Sequence, residues 1–154
     1  MLRERIKEEL TISLKKKDEI SCSVLRLLLA AFLNREKEKK YKTGEEELTE
    51  EEMIGVISSE VKKRKDAVLE FEKGKRQDLA EKEKKEIQIL QKYLPEQLSS
   101  QEIREMIRAA VKKTNADHIK DMGRVMAELM PQTKGRADSR EVSEIVKELL
   151  TSKK

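Results

Sequence analysis

Apolar residues return every three to four positions from one end of this chain to the other, and little in it could bend that pattern into a strand. Leu2, Ile6, Leu10 and Leu14 fall four apart, and Val24, Leu25, Leu28, Leu29 and Phe32 give the denser stripe of a strongly buried face. A period near 3.6 is the mark of an amphipathic helix. The residue types that favour strands are scarce, since aromatics make up 3% of the 154 residues while 43% are charged. The chain is therefore expected to be all-α.

Start and stop signals divide it. The first helix ends in the polar run Lys15 to Asp18, and the second fades through Glu36 to Lys40 into a loop over Tyr41 to Leu48. Thr49-Glu-Glu-Glu52 reads as a capping box opening a third helix on the stripe Ile54, Ile57, Val61, Val68 and Phe71, with Lys73-Gly74 as a left-handed stop. A fourth helix carries Leu79, Ile87, Leu90 and Leu94, and Pro95 forces the chain out of the α region. Ser99-Ser-Gln-Glu102 is a second capping box, ahead of Ile103, Met106, Ile107, Ala110 and Val111. Asp121 is placed to cap a short helix through Met122, Val125, Met126 and Leu129 that Pro131 closes. Asp138 with Glu141 is placed to cap a last one through Val142, Ile145, Val146, Leu149 and Leu150. The expected layout is an N-terminal bundle of about four helices over residues 1–95 and a small three-helix domain over 96–154.

Chemistry of the usual catalytic kinds is missing from the pattern. One cysteine, Cys22, excludes an internal disulfide, and the single histidine, His118, is remote from it, so no zinc set is formed. Cys22 reads as a small buried hydrophobe and His118 as a surface residue. The five glycines stand singly, which rules out a phosphate-cradling loop, and the many carboxylates sit in Glu/Lys runs suited to pairing along a helix. No catalytic residue, metal or cofactor is expected. The start Met1-Leu-Arg-Glu-Arg-Ile6 lacks an apolar leader, and the longest apolar run, Val24 to Leu33, is broken by Arg26. A reducing cytosol and no membrane are the expectations.

Lys+Arg total 35 against 31 Asp+Glu, a net charge of +4. The excess is local. Between Lys112 and Arg136, six cations (Lys112, Lys113, Lys120, Arg124, Lys134, Arg136) meet three anions, Asp117, Asp121 and Glu128. Within Asp121 to Asp138 the methionines fall on one helical face and read as core. Lys134-Gly135-Arg136, by contrast, sets two cations and a flexible backbone just before a helix start at Asp138, whose free N–H groups suit a phosphate. Gly123 permits close approach of another backbone. With only Phe32, Tyr41, Phe71 and Tyr93 as aromatics, base stacking is disfavoured, and a folded RNA held by its backbone is the better candidate than single strands or DNA. A second reading is a protein-interaction adaptor using the Lys62-Lys-Arg-Lys65 cluster, with RNA affinity only incidental.

Met122-Gly-Arg-Val-Met126, Met130-Pro131, Lys134-Gly-Arg-Ala-Asp138 and the closing stretch to Leu150 resemble the GatB/YqeY family, the C-terminal portion of the B subunit of tRNA-dependent amidotransferases. Ser23-Val-Leu-Arg-Leu27, Arg64-Lys-Asp-Ala67, Phe71 to Leu79 and Tyr93-Leu-Pro-Glu-Gln-Leu98 are similar to its stand-alone YqeY branch, so the resemblance spans nearly the whole chain. It implies a helical bundle followed by a three-helix domain that touches the outer body of tRNA. The glutaminase and kinase chemistry of the carbon–nitrogen ligase would lie in other domains. The implied RNA contacts are Arg124, Lys134, Gly135 and Arg136, with Lys112, Lys113 and Lys120 as a supporting field. Ala127 and Ser139 depart from the family pattern, where glycine is expected at both.

Overall fold

The computed structural model describes residues 1–151; the last three positions of the expected second domain, 152–154, lie outside them. Among the described residues there are seven α-helices and no strand. These are α1 (Leu2–Lys15), α2 (Glu19–Thr43), α3 (Glu50–Lys73), α4 (Gln77–Gln91), α5 (Ser100–Thr114), α6 (Met122–Thr133) and α7 (Ser139–Thr151), with a 3-10 turn, Ile119–Asp121, ahead of α6. The chain divides into two compact units between Leu94 and Pro95.

In the first unit, α1 and α2 form one helical hairpin and α3 and α4 another, the latter pair sharing the most extensive packing. Ile6, Val24, Leu25, Leu28, Phe32, Ile57 and Leu90 close its core, nearly all of their surface removed from water. Replacing one such side chain by alanine typically costs about 2–5 kcal/mol. The stripe of α3 is rotated slightly from its sequence reading: Met53 is buried, while Ile54 and Phe71 are only half-buried. At α1, Leu14 points outward at 48% exposure. The α2 helix also runs to Thr43, taking in the Tyr41 to Thr43 stretch expected as loop, and stops where Gly44 turns left-handed at φ 82°.

Three helices end the same way. Lys17, Lys75 and Asn115 each adopt positive φ (57°, 57° and 54°), and the following N–H closes back five residues: Asp18 to the Ser13 carbonyl, Arg76 to Phe71 and Ala116 to Val111. This is the Schellman closure. It corrects the expected stop at Gly74, whose φ is −80°; the left-handed residue is the lysine after it. A glycine one position early leaves Lys75 to carry the strained backbone, for which glycine is the least costly residue.

The second unit packs α5, α6 and α7 around Ile103, Ile107, Val125, Leu129, Val142 and Val146. Ser99 and Glu102 make the full capping box: the serine Oγ accepts the Glu102 N–H and the Glu102 carboxylate accepts the Ser99 N–H. Thr49 likewise accepts the Glu52 N–H, while the Glu52 carboxylate is held chiefly by Lys39 Nζ at 2.8 Å. Pro131 does not close its helix, since α6 continues to Thr133 with Pro131 inside it. Position 131 forfeits its own hydrogen bond and crowds the carbonyl four residues back, yet helical bonding resumes past the ring, the Lys134 N–H reaching the Met130 carbonyl.

Candidate nucleic-acid interface

The cations that stand out in the sequence do not gather at one place. Arg124 sits in the first turn of α6, beside the end of α5, while Lys134, Gly135 and Arg136 lie past the other end of α6. Arg124 and Lys134 are ten positions apart along the α6 axis, about 15 Å at 1.5 Å per residue. There are therefore two cationic positions, and each is engaged by the protein itself.

At the α5/α6 end, Arg124 donates to the Thr114 carbonyl at 3.2 Å and to Asp121 Oδ1 at 2.8 Å. The sequence pattern casts Asp121 as the cap of α6, but its carboxylate turns back. Oδ2 accepts the N–H groups of Asp117 and His118, and the Arg124 guanidinium holds the carboxyl below the usual carboxylate range. His118, which has no role in the sequence reading, accepts the Lys120 N–H at Nδ1 and so caps the 3-10 turn from the other side. Lys113 pairs with Glu128 at 2.6 Å. Lys112 and Lys120 are exposed with no such partner among the described residues. Arg108, one turn before Lys112 on the outer face of α5, is also exposed and unpaired there; sequence reading passes over it, although its i, i+4 spacing to Lys112 is visible in the chain.

At the α6/α7 end the motif is a clasp. Gly135 is left-handed at φ 75°. Its carbonyl accepts from Gln97 Nε2 at 2.9 Å, the Arg136 carbonyl accepts the Leu98 N–H at 2.9 Å, and Arg136 Nε donates to the Glu96 carbonyl at 3.2 Å. Thus Pro95-Glu-Gln-Leu98 and Lys134-Gly-Arg136, separate motifs in the sequence, are one structural feature. The start of α7 is not an open anion site either, because Asp138 Oδ1 accepts the Arg140 N–H at 2.9 Å. A phosphate there would have to displace a carboxylate already using the same N–H. Nor does Gly123 accommodate a close neighbour within the fold, since a Cβ at that position meets nothing within 4 Å.

The Lys62 to Lys65 cluster changes character too. Arg64, its side chain 11% exposed, donates to Glu60 at 2.9 Å and lies 3.4 Å from Glu86 without the alignment of a hydrogen bond, and Lys63 reaches Glu60 at 3.5 Å. Of the expected basic patch, Arg64 is consumed inside the bundle, while Lys63 stays on the surface with a long pair to Glu60. Cys22 is buried. Among the described residues no three His, Cys, Asp or Glu side chains are grouped as metal ligands would be, and no helix is long and apolar enough to cross a membrane.

Residues 3–150 match the sequence family described as Yqey-like protein. A mitochondrial protein of Pyrenophora tritici-repentis named altered inheritance of mitochondria protein 41 is 30% identical over 157 aligned positions, covering 97% of this chain and 81% of that one. Its namesake from Kluyveromyces lactis is 35% identical over 88 positions, 57% of this chain and 45% of that protein. An uncharacterised protein of Schizosaccharomyces pombe is 35% identical over 95 positions, 62% of this chain and 73% of its own length. The mitochondrial names overturn the cytosolic home expected from the sequence. A lone buried thiol suits any reducing compartment and could not choose between them.

Proposed function

Because the chain belongs to the Yqey-like protein family, we propose that its C-terminal unit is a non-catalytic module that binds the body of tRNA and assists tRNA-dependent amidotransfer carried out elsewhere. The observation that supports this most is the state of the cations. Arg108, Lys112 and Lys120 are exposed without carboxylate partners among the described residues, and Arg136 donates to neutral carbonyls, which leave its charge uncompensated. From Met106 to Lys120 a single carboxylate, Asp117, opposes four cations. A surface of this kind recognises phosphates by position and shape and does not read bases.

The leading contacts on this proposal move from Arg124 and the α7 start to Arg108, Lys112 and Lys120, with Lys134 and Arg136 as a second position on the far side of α6. Two separated contacts suit a folded RNA with phosphates on more than one strand. The test is a titration of the full chain with whole tRNA and with a plain RNA duplex of equal length across salt concentrations. Binding to tRNA should be tighter and should weaken by roughly 0.7–0.9 log units per phosphate for each tenfold rise in salt. An Arg108→Ala/Lys112→Ala/Lys120→Ala variant should lower affinity at least tenfold and flatten that slope. Equal weak binding to both RNAs, or an unchanged slope in the variant, would defeat the proposal.

A further inference from the structure

The first unit holds a surface that tRNA binding leaves unused. A groove of about 510 Å³ opens between the end of α1 and the start of α2, lined by Leu14, Leu27, Cys22 and Ser23 together with the cations Lys17 and Arg26. Leu14 and Leu27 are 48% and 54% exposed, although α2 buries Val24, Leu25, Leu28 and Phe32 on its core face and α1 buries Ile6. From Leu27 the exposed apolar stripe continues through Ala30 to Leu33, itself 53% exposed, about 9 Å farther along α2. Leucines left in water beside a hollow, on a chain with plenty of charged residues to cover them, mark a contact surface.

The charges around it are one-sided. Lys15, Lys16 and Lys17 close α1, and Arg26 and Lys37 flank the stripe on α2; all are exposed, and none has an ion-pair partner among the described residues. Of the described residues that line the groove, Glu19 alone is acidic. Asp18 is occupied as the cap of α2, its carboxylate taking both the N–H and the hydroxyl of Ser21. We infer that this groove docks an amphipathic helix of another protein, with leucine-like side chains spaced i, i+3 or i+4, i+7 seated between Leu14 and Leu27 and with acidic flanks over Lys17 and Arg26. A second copy of the chain is disfavoured because its own cations would face these. A flat anionic bilayer would satisfy the charges and leave the hollow unfilled. The groove is in a different unit from the cations assigned to RNA, so the two proposals stand or fall separately.

The probe is a fluorescein-labelled synthetic helix with leucines at that spacing and glutamates flanking them, titrated against the full chain. It should bind at least tenfold more tightly than a scrambled peptide of the same composition and than a version with lysine flanks. Leu14→Asp/Leu27→Asp should weaken it at least tenfold with an unchanged circular dichroism spectrum, and both sites are exposed enough to accept the change. Lys17→Glu/Arg26→Glu should reverse the preference toward the lysine-flanked peptide, a gain that misfolding cannot produce. Neither variant should alter tRNA binding. The inference is overturned if the scrambled peptide binds equally, if the charge-reversed variant shows no switch, if phosphatidylserine vesicles bind the chain and the peptides do not, or if these variants abolish a dimer seen by sedimentation.

Discussion

Arg64 in the first unit and Arg136 in the second are both drawn in from solvent and both hold segments together, yet they differ in what they grip. Arg64 lies among carboxylates, Glu60 at 2.9 Å and Glu86 at 3.4 Å, and its charge is spent within the bundle. Arg136 grips carbonyls of Glu96 and Gln132, which orient the guanidinium without cancelling it. Cation number alone is thus a poor guide to an RNA surface; the partner of each cation decides whether its field reaches outward.

The largest test of that contrast is removal of Arg64. Arg64→Ala leaves Glu60 only its long pair to Lys63 and strands the buried Glu86, and should destabilise the chain by about 3–5 kcal/mol in a urea titration, since breaking a buried pair leaves an uncompensated charge. RNA affinity of the protein that remains folded should be unchanged. Arg136→Ala should cost less, about 1–2 kcal/mol for hydrogen bonds from a charged donor, but should weaken tRNA binding several-fold. Arg136→Lys separates the two parts: it keeps the charge while losing the fork that spans two carbonyls, so affinity should largely survive a measurable loss of stability.

A smaller effect comes from Glu83, whose carboxyl is pushed up by burial and, next, by the Glu86 carboxylate. A folded-state value above the unfolded one means that its contribution is present below the ordinary glutamate range and is lost as pH rises through the folded value. Glu83→Gln should therefore raise Tm by a few degrees at neutral pH, and the difference should vanish in acid. A wild-type and variant pair showing the same gap at both pH values would exclude like-charge strain in this cluster.

The smallest effect is expected at the turn Gly74-Lys75. Lys75→Gly should stabilise the first unit by about 0.5–1 kcal/mol by relieving a positive φ, and Gly74→Ala should be neutral or mildly stabilising, because its φ is ordinary and an added Cβ meets only the Glu70 and Phe71 carbonyls at 3.5 and 3.7 Å. Thermal melts of the two variants decide which residue makes the stop.

Much of the fold is legible in the amino-acid sequence. Apolar spacing and the Ser99 and Thr49 caps are local devices, each written within a few residues, and they specify seven helices with ends close to those observed. Local reading fails where an end depends on a one-residue choice, as at Gly74 and Lys75, or where a residue disfavoured in helices is tolerated near a terminus, as at Pro131. Of the site, the cations are visible in the sequence but their employment is not. Asp121 has the signature of a helix cap and is instead the partner of Arg124, and Lys134-Gly-Arg136, which has the composition of a phosphate loop, also clasps Glu96 to Leu98, a contact its composition does not announce.

What the sequence determined by itself is the all-helical character, the placement of the helices and the local surplus of positive charge, because period, cap and composition act over one or two turns. What only the tertiary structure decided is which cations are free. Arg136 meets the Glu96 carbonyl across forty residues of chain, and Arg64 meets Glu86 across the α3/α4 hairpin. Such pairings depend on how helices pack, and no local pattern carries them.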